Sequence, residues 1–118
     1  MVLKTKLIEY KVEDYFCIYV PAIAEKHYAD TLIEAKLAFY ACYPIIFDTY
    51  RKEKILKKLM LNWGWEIKNS KFTAPYISDD KAIELTYQML EDVDRSTIKI
   101  LNVYTTKIVV PLYGTIYE

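Results

Sequence analysis

Hydrophobic and polar positions follow three different rhythms along this chain. The first segment alternates with period two. Val2, Lys4, Lys6, Ile8 and Tyr10 fall on one side, and Leu3, Thr5, Leu7 and Glu9 on the other. Neither side is cleanly apolar, which suits an edge strand whose charges discourage further pairing. Glu13-Asp14 interrupts the alternation, and Tyr15–Val20 is a short aromatic and β-branched run that Pro21 ends. These two runs predict an antiparallel hairpin. Glu-Asp is a poor pair for a tight primed turn, so a longer loop is expected.

From Ala22 the rhythm changes to a helical one. Ala24, Tyr28, Leu32, Ala35, Phe39 and Cys42 recur at helical spacing, with Ile33, Leu37 and Tyr40 widening the stripe. The second half of this helix is apolar all round, which implies burial on several faces. Pro44 should end or kink it near Tyr43. A second helix is expected after an Asp48 or Thr49 cap, with Ile55, Leu56, Leu59, Met60 and Trp63 as its stripe. Gly64 stands where a left-handed terminating residue belongs. Trp65–Phe72 reads as a short strand or an extended loop. Ser78 caps a third helix, with Asp79 and Asp80 in its first turn and Ile83, Tyr87, Leu90 and Val93 as its buried stripe.

Period two returns in the tail. Ile98, Ile100, Asn102 and Tyr104 alternate with Lys99, Leu101 and Val103, and Lys107–Val110 and Leu112–Tyr117 follow on either side of Pro111. Two strands with a turn near Thr105-Thr106 are predicted. The resulting expectation is one α+β domain over residues 1–118. It has a four-stranded antiparallel sheet, with two N-terminal and two C-terminal strands, and about three helices packed on one face.

Composition narrows the function classes. Sixteen basic and sixteen acidic residues cancel, which argues against a general polyelectrolyte binder or a polybasic membrane binder. The cancellation hides segregation. Residues 51–71 carry seven basic side chains against two acidic, and residues 79–94 carry six acidic against one basic. The longest uninterrupted apolar run, 37–47, is too short to span a bilayer as a helix and contains Pro44. Acidic residues break the stretch a secretory leader would need to be apolar. No membrane partner and a cytoplasmic location are therefore expected. Scarce amides among many Lys and Glu residues match the pattern of thermophilic proteins.

Candidate chemistry is thin. His27 is the sole histidine, and neither Cys17 nor Cys42 stands at a metal-ligand spacing. On the predicted helix, Cys42 would lie about 22 Å from His27 at ~1.5 Å per residue. Cys17 and Cys42 are expected as free thiols, with a disulfide as the alternative. No metal site, cofactor or catalytic residue is indicated. Acidic clusters at Asp79, Asp80 and Glu84, and at Glu91, Asp92 and Asp94, lack any EF-hand spacing.

Twelve tyrosines and eighteen aromatic residues in all are many for a small core to bury, and tyrosine favours surfaces that are half buried and half wet. The leading expectation is a non-enzymatic protein-interaction module that self-associates as a homodimer or meets an unknown protein. Its contact would use Phe39, Tyr40, Tyr43, Ile45, Ile46 and Phe47. Basic and acidic segments can also meet across such a boundary. One alternative is nucleic-acid binding by Arg51, Lys54, Lys57, Lys58, Lys68 and Lys71, with Trp63, Trp65 and Phe72 as stacking surfaces. Another is a small enzyme with a tyrosine and carboxylate site.

Overall fold

The structure, a computed structural model, describes residues 2–69 and 71–110. The chain is α+β, with a four-stranded antiparallel sheet and three α-helices. Strand β1 (Val2–Val12) turns into β2 (Tyr15–Val20), and a 3₁₀ turn at Pro21–Ile23 leads to β3 (Glu25–Ala29). Helix α1 (Leu32–Lys52) and the short α2 (Leu56–Asn62) follow. A small hairpin of β4 (Glu66–Lys68) and β5 (Lys71–Thr73) leads to α3 (Asp79–Met89), and β6 (Ile98–Val109) returns to the main sheet. The order across that sheet is β3-β2-β1-β6.

The sheet's membership differs from expectation by one strand. Among the described residues three strands come from the N-terminal part and one from the C-terminal part. Glu25–Ala29, expected to open the first helix, pairs along β2, from Phe16 opposite Ala29 to Val20 opposite Glu25. The helix begins instead at Leu32, where the Thr31 hydroxyl accepts a hydrogen bond from the Glu34 amide at 3.2 Å. Thr31 and Glu34 form the Thr-x-x-Glu signature of a helix start. That signature was legible, and it outweighs an apolar period that happened to continue upstream. His27 therefore sits on a strand, 3.1 Å from Glu25, and not on the helix that carries Cys42.

Thr105-Thr106 is no turn. Both residues lie within β6, opposite Lys6 and Thr5 of β1. The register shifts once, between Glu9 and Tyr10, where Leu101 is the extra residue of a β-bulge. The expected strand Leu112–Tyr117, with Pro111, lies outside the described residues. The strands from the two ends of the chain do meet, because β1 pairs with β6 along its whole length.

β1 is a central strand and not an edge. Its mixed alternation reflects burial on both sides. Leu3, Leu7 and Glu9 are buried on one face, and Ile8 and Tyr10 on the other. A strand covered twice loses the clean period of a half-solvated one. The helices accordingly flank the sheet instead of sharing one face. Lys36 of α1 reaches Glu9 at 2.6 Å. Asp79 of α3 reaches Lys6, on the opposite face of the same strand, at 2.7 Å. The β1–β2 loop is also shorter than expected. Val12 pairs with Tyr15, so only Glu13 and Asp14 turn the chain, and Glu13 takes a positive φ of 52°.

Pro44 does not end α1, which runs on to Lys52. Proline in a helix interior costs ~3 kcal/mol through a lost hydrogen bond and a clash with the preceding turn. Here Pro44 is on the solvent side, while Phe39, Tyr43 and Phe47 anchor both halves in the core. Their rings form a continuous ladder. Phe39–Tyr43 centroids are 5.1 Å apart, Tyr43–Phe47 6.4 Å, and Phe47–Trp63 6.2 Å. Such pairs add ~0.5–1.5 kcal/mol each beyond the area buried, enough together to hold the helix through the proline.

The second helix is shorter than its stripe suggested and starts at Leu56, so Asp48 and Thr49 lie inside α1. Its end matches expectation. Gly64 takes φ +95°, the Gly64 amide donates to Leu61 O, and the Trp65 amide donates to Met60 O, which is the Schellman closure. Ser78 caps α3 by accepting from the Lys81 amide at 3.1 Å. The deepest residues of α3 are Ala82 and Thr86, while Ile83, Tyr87, Leu90 and Val93 are only half buried. Small side chains let this helix approach the sheet closely, and the Thr86 hydroxyl is satisfied by Ala82 O at 2.8 Å.

Candidate interaction surface

Helix α1 carries two apolar stripes. The inner one is Ala35, Phe39, Tyr43 and Phe47, spaced by four and buried against the sheet. The outer one is Ile33, Leu37, Tyr40 and Pro44, with Ala41 and Ile45 beside it. Spacings of four, three and four place Ile33, Leu37, Tyr40 and Pro44 along one line of the helix. All are exposed, with Ile33 at 72%, Leu37 at 65%, Ile45 at 68% and Tyr40 at 41%. Scattered exposed apolar residues need no explanation, but a continuous line of them does.

The residues expected at an interface therefore divide. Tyr40 and Ile45 lie on the outer stripe, and Ile46 is half buried. Phe39, Tyr43 and Phe47 belong to the chain's own core. Ile33 lies outside the apolar stretch 37–47 from which that contact is expected, and Leu37 opens it, because both read as part of a single widened stripe. Their regular spacing from Tyr40 and Pro44 was the signal that there are two.

Hydrogen bonds fix how α1 lies on the sheet. Tyr40 Oη and Thr106 Oγ1 are 2.9 Å apart, and the Val109 amide donates to Tyr43 Oη at 3.1 Å. The strongest tether is Glu9, whose carboxylate is almost wholly buried. It accepts from Lys36 Nζ at 2.6 Å, Asn102 Nδ2 at 2.9 Å and Tyr104 Oη at 3.2 Å. Burial alone would raise the carboxyl pKa, but the bonds from Lys36 and Asn102 outweigh it and hold Glu9 below the ordinary carboxylate value. Lys36 is held above the usual lysine value, chiefly by its bond to Glu9. The Lys36 ammonium also lies 5.4 Å from the centre of the Tyr104 ring.

The basic candidates are spread over α1, the loop after it, α2 and the β4–β5 hairpin. Arg51 is half buried and donates to Asp48 at 2.6 Å. Lys54 follows α1 with φ +62°, and Lys57 and Lys58 lie on α2. Lys68 and Lys71 face each other across the β4–β5 hairpin. Trp65 is only 3% exposed and donates its indole N–H to Ala22 O at 2.7 Å. Trp63 packs edge-on against Phe47 and tilts against Tyr50. Both tryptophans thus serve the core, and Phe72 is half buried.

Tyrosine and thiol groups do share one cleft. Tyr10, Val12, Tyr15, Cys17, Lys26 and Leu90 line a space of about 380 Å³ on the α3 side of the sheet. Burial pushes both the Tyr10 phenol and the Cys17 thiol up, so each keeps its proton at neutral pH and is a poor nucleophile or base. Cys17 and Cys42 are both free thiols. Among the described residues no three His, Cys, Asp or Glu side chains are grouped to hold a metal ion. No helix among them is long and apolar enough to cross a membrane. Comparisons with protein-family models, with curated proteins and with solved structures gave no match.

Proposed function

We propose that this chain is a protein-interaction module that works as a homodimer through the outer stripe of α1. The observation that carries the reading is the exposed line Ile33, Leu37, Tyr40 and Pro44 on a helix whose other side is already fully packed. The stripe is about 18 Å long at ~1.5 Å per residue. Glu34 flanks its N-terminal end, and beyond its C-terminal end Arg51 and Lys52 are held by Asp48 at 2.6 and 3.0 Å. An antiparallel pair of α1 helices related by a two-fold axis lays one stripe on the other and opposes the helix dipoles.

Sedimentation velocity over a concentration series tests the reading. A reversible monomer–dimer equilibrium is expected. Leu37→Glu should abolish it, leaving a monomer with unchanged circular dichroism and thermal midpoint. A wild-type protein that stays monomeric at every concentration, or a Leu37→Glu variant that still dimerises, refutes it.

A further inference from the structure

The opposite face of the sheet carries a charge arrangement that the fold does not require. Lys4 and Lys107 are direct cross-strand partners in the β1–β6 ladder, and like charges placed so are destabilising. Lys6 points to the same side two residues on, where it meets Asp79 at 2.7 Å. Lys4 and Lys107 have no acidic partner among the described residues. Beside them, between the sheet and residues 74–77, lies a cleft of about 440 Å³. Lys4, Lys6, Thr5 and Thr105 line it, with Pro75 and Tyr76 on the far wall. Tyr76 is 92% exposed, so packing does not explain its ring. The size falls within the ~300–1,000 Å³ of small-molecule sites.

We propose that this cleft binds a nucleoside phosphate, either as a free nucleotide or as part of a single strand. The three observations ask for different halves of one ligand. Among the described residues no acidic side chain meets Lys4, which lines the cleft, or Lys107, its cross-strand partner, and a phosphate supplies that counter-charge while relieving their repulsion. The exposed Thr105 lies on the same side of the sheet as Lys4 and Lys6, and its hydroxyl offers a donor to phosphate oxygens. Tyr76 presents an open aromatic face within reach of the cleft, and a base stacks on such a face whatever its identity. The basic set of α2 and the β4–β5 hairpin differs in this respect, because its tryptophans are packed inward. The cleft is on the α3 side of the sheet, so pairing through α1 leaves it open.

Calorimetric titration of the full chain with AMP, inorganic phosphate, adenosine and a short oligothymidylate tests the site. AMP should bind more tightly than either phosphate or adenosine, and more weakly as salt rises. Lys107→Glu should weaken AMP binding at least tenfold while leaving the thermal midpoint unchanged or higher, because it removes the Lys4 repulsion. A merely structural lysine would not show that opposition. Tyr76→Ala should lose roughly tenfold in affinity for AMP, the effect of one stacked base, and nothing for inorganic phosphate. Oligothymidylate bound far more tightly than AMP, with a steeper salt dependence, identifies a strand; equal affinities identify a free nucleotide. No binding of AMP or oligothymidylate, or binding that neither substitution changes, overturns the proposal.

Discussion

Replacing Lys36 by Met removes the charged partner of Glu9 but keeps most of the side-chain stem that packs near Tyr104. Glu9 is nearly inaccessible, whereas a third of the Lys36 side chain remains in contact with water. Breaking a fully buried ion pair costs ~3–5 kcal/mol, and losing one charge-assisted hydrogen bond ~1.5–3 kcal/mol. Solvent at Lys36 screens the pair, and Asn102 and Tyr104 still donate to the carboxylate. The lower range therefore applies, and a loss of about 2 kcal/mol is expected, or a midpoint about 8 °C lower for a domain of this size. Urea unfolding followed by fluorescence of the buried Trp65 measures it.

The pH dependence supplies the sharper test. In the wild type the folded Glu9 pKa is lowered, so its contribution is complete above the ordinary carboxyl value and disappears as pH falls through the folded value. The folded Lys36 pKa is raised, so its contribution is complete below the ordinary lysine value and disappears as pH rises through the folded one. In Lys36→Met, burial acts on Glu9 with fewer opposing bonds, and the carboxyl moves upward. The stability gap between the two proteins should be flat from about pH 6 to 9 and close in acid below about pH 4. In a Glu9→Gln background, Lys36→Met should cost less than about 0.5 kcal/mol, since the cycle isolates the pair. A gap equal at acidic and neutral pH, or a cost unchanged by Glu9→Gln, refutes the assignment of Glu9 as the tether of α1.

Two further substitutions examine the devices that set element ends. Thr31→Ala removes the acceptor for the Glu34 amide and should cost about 1 kcal/mol, read as a lower urea midpoint with unchanged slope; no change would mean that the cap is idle. Gly64→Ala places a Cβ 3.6 Å from Pro75 Cβ, an ordinary contact, but at φ +95°. It should cost about 1–2 kcal/mol through backbone strain alone, whereas a loss of several kcal/mol would show that a steric clash had been overlooked.

Local signals were legible wherever one residue decides the outcome. Ser78 and Gly64 mark helix ends in the sequence itself, because a side-chain cap and a left-handed glycine act within a few residues. The class was legible as well, since period two at both ends and helical period between them imply a sheet closed by its termini. What the sequence withheld was anything that depends on two sides at once. β1 read as an edge because charge and apolarity were mixed on each face. Only the placement of α1 and α3 on opposite faces shows that Ile8 and Glu9 are both buried. α1 read as one broad stripe, and the sheet separates it into a core face and an exposed face. The carboxylate of Glu9 meets Asn102 and Tyr104 across more than ninety residues of chain, a convergence that periodicity cannot encode. Local rules thus determined the helix ends at Ser78 and Gly64, while tertiary packing decided the other element bounds and which surfaces stay exposed, because burial is a property of neighbours and not of spacing.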